Sequence, residues 1–170
     1  MDKNLSKIKA KDIGISTPKW NLIKKVSSLD FNTQKFPIIV KPNDQGSTVG
    51  LYLVEEINNF ESCVEKSLEF SSKVILEEFI SGKEITVPIL GDSALPIVEI
   101  KPKSGFYDYK SKYIDVADHI QNPIISKTIK NKLCENSLLA HKTLGCNCIS
   151  RCDFRYSEDK EEVYLLEINT

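Results

Sequence analysis

The chain has 170 residues, 41% of them hydrophobic and 28% charged, with 23 basic against 24 acidic residues and a formal net charge of −1. That is the composition of one soluble globular domain of ordinary size, or of two small subdomains sharing a core. The near-neutral balance gives no electrostatic case for nucleic acid or an anionic membrane surface, and no apolar run approaches the roughly 20 residues of a membrane span.

The amino-terminal stretch MDKNLSKIKAKDIGI carries charges and lacks the apolar core of a secretion signal. Residues 2–13 read as a short helix broken at Gly14. ISTPKW connects this helix to a strand near 20–23. Residues 36–40 form a strand, 43–48 a loop, and VGLYLV the strand that returns. NNFESCVEKSLEF places Phe60, Val64 and Leu68 at helical spacing, and KVILEEFI is a further strand. Beyond SGKE, the stretches ITVPIL and ALPIVEI read as a hairpin turning at 91–93. Residues 102–123 show weak periodicity and read as a long loop. Residues 125–143, with Ile129, Leu133, Leu138 and Leu139, read as a helix ending at Gly145. NCISRCDFRY and EVYLLEIN are two closing strands joined by the polar turn SEDKEE. Strands, hairpins and helices in this mixture predict an α+β fold.

The five cysteines (Cys63, Cys134, Cys146, Cys148 and Cys152) are odd in number and follow no disulfide-scaffold pattern. They read as reduced thiols in a cytoplasm. Cys146, Cys148 and Cys152 fall on a strand-like segment and read as small core residues rather than a metal cluster. His119 and His141 lack spaced partners and read as structural or solvated.

Four stretches carry candidate chemistry. In the closing strands, Arg151, Asp153, Glu167 and Asn169 occupy odd positions, and Cys152, Phe154, Leu166 and Ile168 even ones. Side chains alternate faces along a strand, so any even-sum register of this hairpin puts the four polar residues on one face. Two carboxylates and an amide oxygen are hard ligands that suit Mg²⁺, although a solvated hairpin face has the same alternation. In IIVKPNDQGSTVG, Lys41 ends a buried strand and can reach a phosphate as a point charge. The small-residue loop after it can converge N–H donors on an anion, although an ordinary hairpin turn reads the same way. No Gly-Lys-Ser/Thr follows, so this is not a P-loop. In VILEEFISGKEITV, a connecting strand with Glu77 and Glu78 leads to Glu84. Such a strand can offer backbone groups to an adenine edge and a carboxylate to ribose, and its acids read equally well as solvated. Aromatics and lysines in SGFYDYKSKYID suit a lid closing over a reactive phosphate, or a surface loop.

Taken in order, MDK, IIVKPNDQGSTVG, VILEEFISGKEITV, LPIVEIKP, GFYDYKSKY, LGC, RCDFR and YLLEINT resemble the D-alanine–D-alanine ligases of the ATP-grasp superfamily. The resemblance implies two α+β subdomains with mostly antiparallel sheets gripping a nucleotide, here 1–80 and 81–170. It implies that Lys3 and Lys41 bind the ATP phosphates, with Ser47 and Thr48 covering them. Glu77, Glu78, Phe79 and Ile80 would read adenine, and Glu84 would take the ribose. Lys112 and Tyr113 would sit on the lid, Arg151 would stabilise the transferring phosphoryl group, and Ser47 would belong to the catalytic set. Asp153, Glu167 and Asn169 would hold two Mg²⁺ ions, or Mn²⁺ in their place. The implied reaction joins two D-alanines through an acyl phosphate, with ATP converted to ADP, in the cytoplasm, for peptidoglycan precursors.

The family also has a domain before MDK and a stretch after EINT that complete the D-alanine subsites. The expectation is therefore of a chain with nucleotide and metal residues but an incomplete amino-acid site. Three arrangements stay open: half of a split ligase with a complementary chain or a homodimer, a non-catalytic nucleotide-binding remnant, or another ATP-grasp carboxylate–amine ligase.

Overall fold

The protein is seen in a computed structural model that describes residues 2–29, 34–102 and 117–170. The first helix, α1 (Lys3–Asp12), begins where the Asp2 carboxylate accepts the Leu5 N–H at 2.9 Å. It ends before Gly14, whose φ of +80° costs glycine no Cβ clash. The buried positions of α1 are Lys3, Lys7 and Ala10. Two of these are lysines, so the face they share must meet carboxylates or other acceptors rather than a purely apolar core.

Strands β1 (Trp20–Ile23), β2 (Ile38–Pro42), β3 (Tyr52–Val54) and β4 (Val74–Glu78) form an antiparallel sheet in the order β1-β4-β2-β3. The expected strand at 36–40 starts two residues later and contains Lys41. The returning strand is shorter than VGLYLV, because residues 47–50 are still in the turn. Ile38, Val40, Val54, Val74 and Leu76 pack on Phe60 and Val64 of α2 (Phe60–Leu68). Alternation then sends Ile39, Lys41, Ile75 and Glu77 to the opposite face, where Ile39 lies across from Glu77 and Lys41 across from Ile75.

A second antiparallel sheet is built from β5 (Lys83–Leu90), β6 (Ser93–Ala94), β7 (Val98–Lys101), β8 (Asp118–Gln121), β9 (Ile149–Ser157) and β10 (Glu162–Asn169). Its order is β10-β9-β5-β7-β8, with β6 paired to β5. Ile85, Val87, Ile89, Phe154 and Val163 pack on α3 (Lys127–Thr143), together with Ala10 and Ile15 from the α1 region. The start of α3 is fixed by Ser126, whose hydroxyl accepts the Ile129 N–H at 3.2 Å. Strand β8 corrects the expected loop over 102–123. All four of its residues are exposed, so it has no alternation to betray it. The remainder of that loop, 103–116, lies outside the described residues.

The β9–β10 hairpin changes register along its length. Near the turn the pairs run from Glu162↔Ser157 to Leu165↔Phe154; beyond it they are Glu167↔Asp153, Ile168↔Cys152 and Asn169↔Arg151. Leu166 is the extra residue of a β-bulge, which re-aims everything after it. The even-sum register expected for the polar end is present there because of the bulge. Leu166 itself, expected among the buried even positions, instead lines the opposite side with the polar residues. Just before the bulge, Leu165 is held on both sides: its N–H donates to the Ser16 carbonyl at 2.8 Å, and its carbonyl accepts from the Thr17 hydroxyl at 2.9 Å. Residues 16–17 thereby cover the free edge of the sheet.

Residues 79–82 join the two sheets, and Gly82 is confined there. Its φ is +127°, and a Cβ at this position would stand 2.0 Å from the Tyr156 carbonyl oxygen. Gly82→Ala is therefore expected to destabilise the protein by about 3 kcal/mol or more, because both backbone strain and a backbone clash must be relieved. A urea unfolding midpoint within error of wild type would show that the joint can shift without cost.

Candidate functional site

The polar faces of the two sheets line one cleft of about 400 Å³. From the first sheet come Ile39, Lys41 and the loop after β2; from the second come residues of three cross-strand rows. In the outermost row His119, Ile100, Glu84 and Arg155 stand side by side. In the middle row Thr86, Asp153 and Glu167 do so, and in the innermost row Pro88, Arg151 and Asn169. Phe79 and Ile80 from the joint and Leu166 from the bulge supply apolar walls.

The first-sheet side is cationic and buried. Glu77 is 2% exposed, and its carboxylate lies 2.8 Å from Lys41 Nζ and 2.6 Å from Lys7 Nζ. Burial alone would raise the Glu77 carboxyl, but Lys41 and Lys7 together hold it below its usual range. Burial drives the Lys7 ammonium down to about 8 against the pull of Glu77. Lys3 is also lowered by burial; it donates to the Gln45 carbonyl and stands 3.7 Å from the Glu167 carboxylate. Two lysines share the one Glu77 carboxylate, so this pocket carries surplus positive charge at low dielectric. An anion entering the cleft beside Lys41 would neutralise it.

The second-sheet side is anionic. The Asp153 carboxylate accepts from Arg151 Nε and Nη2, each at 2.9 Å, from the Thr86 hydroxyl at 2.7 Å and from the Asn169 amide at 2.8 Å. Such a charge-assisted set fixes Asp153 in place. Glu167 lies directly opposite it in the register. The donor chemistry of Asp153, Glu167 and Asn169 fits a hard divalent cation, which takes carboxylate and amide oxygens. Glu84 pairs with Arg155 at 3.1 Å, and Arg155 also donates to the Gly82 carbonyl at 3.0 Å.

Of the residues singled out from the sequence, Lys3, Lys41, Ser47, Thr48, Glu77, Glu78, Phe79, Ile80, Glu84, Arg151, Asp153 and Glu167 all line this cleft. Asn169 reaches it through Asp153. Lys112 and Tyr113 lie outside the described residues. Ser47 and Thr48 have φ of 55° and 58°, a conformation that is uncommon for serine and strained for a β-branched threonine, and they hold the loop in a tight turn at the cleft mouth. The Glu77 side chain is turned inward to the two lysines, and that of Glu78 accepts the Lys19 N–H at 3.4 Å. His119, read as structural or solvated, stands on the cleft wall, whereas His141 is buried with its Nδ1 2.7 Å from the Ser150 hydroxyl.

Three participants escaped the sequence reading. Arg155 obeys the same odd-position rule as Arg151 and Asp153, so parity alone would have added it. Thr86, two residues after the expected Glu84, alternates with buried Ile85 and Val87. Lys7 lies one turn after Lys3 on the same helix face, but Lys9 and Lys11 crowd the same helix and hide its distinctness.

A family profile described as the D-ala D-ala ligase C-terminus matches residues 10–170. The chain belongs to that family. It is 38% identical over 175 residues to D-alanine–D-alanine ligase B of Clostridium perfringens, covering 100% of this chain and 57% of the relative. A solved D-alanine–D-alanine ligase of Bacillus anthracis superposes with a TM-score of 0.84 at 35% identity, over 99% of this chain and 56% of that one. The ligase of the same organism complexed with ATP gives a TM-score of 0.80 at 28% identity, over 99% and 52%. The chain thus spans a little over half the length of the proteins it matches. The ATP-grasp α+β fold with antiparallel sheets is shared with these ligases. Among the described residues, no helix is long and apolar enough to cross a membrane.

The buried cluster makes a pH prediction. Glu77 has a lowered folded pKa, so its contribution to stability is fully present above the ordinary value of 4.5 and is lost as pH falls through the folded value. Glu77→Gln should flatten this acid limb in urea unfolding curves recorded against pH. Glu77→Ala should cost about 3–5 kcal/mol at pH 7, since it strands buried lysines.

Proposed function

We propose that these residues form the ATP- and metal-binding part of a D-alanine–D-alanine ligase. One observation carries the reading: a buried lysine cluster with surplus positive charge faces the anchored Asp153 carboxylate and Glu167 across a single cleft. Polyphosphate with a divalent cation is the ligand whose charges complement both walls. Lys3 and Lys41 would hold phosphate oxygens, and the loop carrying Ser47 and Thr48 would cover them. Phe79, Ile80 and Leu166 would sandwich the base between apolar surfaces, while Glu84, oriented by Arg155, would accept from ribose hydroxyls. Asp153, Glu167 and Asn169 would hold Mg²⁺, which when bound supplies charge neutralisation on the phosphates. Arg151, freed from Asp153, would turn its guanidinium fork to the phosphoryl group being transferred. Lys112 and Tyr113 are proposed for the lid by resemblance.

We also propose ligation of two D-alanines, a cytoplasmic location, and a homodimer or a complementary chain. We propose the division into two gripping units at the joint of residues 79–82, where one sheet ends and the next begins.

Calorimetric titration with ATP in Mg²⁺, using Lys41→Ala, tests the phosphate role. Affinity should fall about ten- to a hundredfold, because hydrogen bonds to charged groups contribute about 1.5–3 kcal/mol. Unchanged affinity would remove Lys41 from the phosphate site. In Asp153→Ala the difference between titrations in Mg²⁺ and in chelator should disappear; a persisting difference would place the cation elsewhere.

A further inference from the structure

Lys7 is 2% exposed, carries a charge and is not among the residues that line the cleft. Its position is nonetheless specific. The ammonium lies 2.6 Å from Glu77 Oε2, and Glu77 Oε1 lies 2.8 Å from Lys41 Nζ. On its other side it donates to the Thr17 hydroxyl at 2.6 Å, and that hydroxyl donates to the Leu165 carbonyl at 2.9 Å. The Trp20 ring centroid is 5.4 Å away and closes the site on a third side. Lys41 belongs to the first sheet and Leu165 to the second, one residue before the bulge that aims Glu167. One short chain of polar contacts therefore runs from the cationic wall of the cleft, through α1, to the strand of the anionic wall.

Electrostatics give the middle of this chain a definite job. With Lys7 present, Glu77 divides its charge between two ammonium groups, and Lys41 keeps cationic character toward the cleft. Without Lys7, Glu77 and Lys41 become a closed pair, and Lys41 offers less to an incoming anion. A neutral residue at position 7 also drops the donor that orients Thr17. Resting on the nucleotide reading above, we propose that Lys7 is a positioning residue that holds Lys41 available to phosphate and keeps its wall in register with the Glu167 strand. The residue contacts no substrate; its effect is on phosphate binding rather than on recognition of the base.

The test compares Mg²⁺·ATP with adenosine, which lacks phosphates, by calorimetry on the full chain. Lys7→Met should weaken Mg²⁺·ATP at least tenfold and leave adenosine within about twofold. The double variant Lys7→Met/Glu77→Gln, which removes the carboxylate that would sequester Lys41, should return ATP affinity to within about threefold of wild type. Equal losses for ATP and adenosine, or no loss for either, overturn the proposal while leaving the nucleotide reading intact. A wild-type chain that binds neither ligand removes both. If Lys7→Met does not fold, Thr17→Val cuts the same chain one link further on and should show the same phosphate-selective loss, severalfold. Unfolding of both variants assigns the cluster to stability alone and overturns the proposal.

Discussion

The Glu77 carboxylate, shared between Lys7 and Lys41, is the contact on which the rest of the structure turns. A carboxylate this buried is tolerable only when its charge is met in full. Two ammonium groups more than meet it, and the excess is directed at the cleft. The same contact brings together β4, β2 and α1, so the helix is set against the first sheet by charge. Ala10 and Ile15, just beyond, bury their side chains in the core of the second sheet. Helix α1 thus contacts both sheets, polar at one end of its inner face and apolar at the other.

The second constraint is the bulge at Leu166. Simple alternation in β10 would have placed Glu167 opposite Cys152, with its carboxylate pushed toward the core under α3. One extra residue moves Glu167 to face Asp153 and leaves Leu166 on the cleft wall. The clamp of Leu165 by residues 16–17 pins the strand just before this change. The facing of Asp153 by Glu167 and the apolar Leu166 on the cleft wall therefore come from one local irregularity. It is tied by Thr17 to the same lysine that touches Glu77.

Much of this could be read in the chain. The odd-position polar residues of the closing strands, the strand ending near Lys41 and the helix carrying Phe60 and Val64 each follow from periodicity and residue type. The eight-motif order pointed to the family that the profile match assigns. What was not legible depends on partners distant in sequence. Nothing in KVILEEFI tells Glu77 from Glu78, yet one is sealed between two lysines and the other is exposed. The bulge has no glycine or proline to mark it. Strand β8 exposes all four residues, so its sequence has no apolar face to display. Lys7 looked like one of several lysines on a polar helix, because only the tertiary fold determines which of them is enclosed.

Hydrogen exchange of the full chain with and without Mg²⁺·ATP reports most directly whether both walls of the cleft close on one ligand. Slowed exchange should appear together in residues 39–50 and 77–80 of the first wall and 151–153 and 166–169 of the second, with α2 and the outer face of α3 unchanged. Protection limited to one sheet, or spread evenly over the chain, would contradict a site built from both.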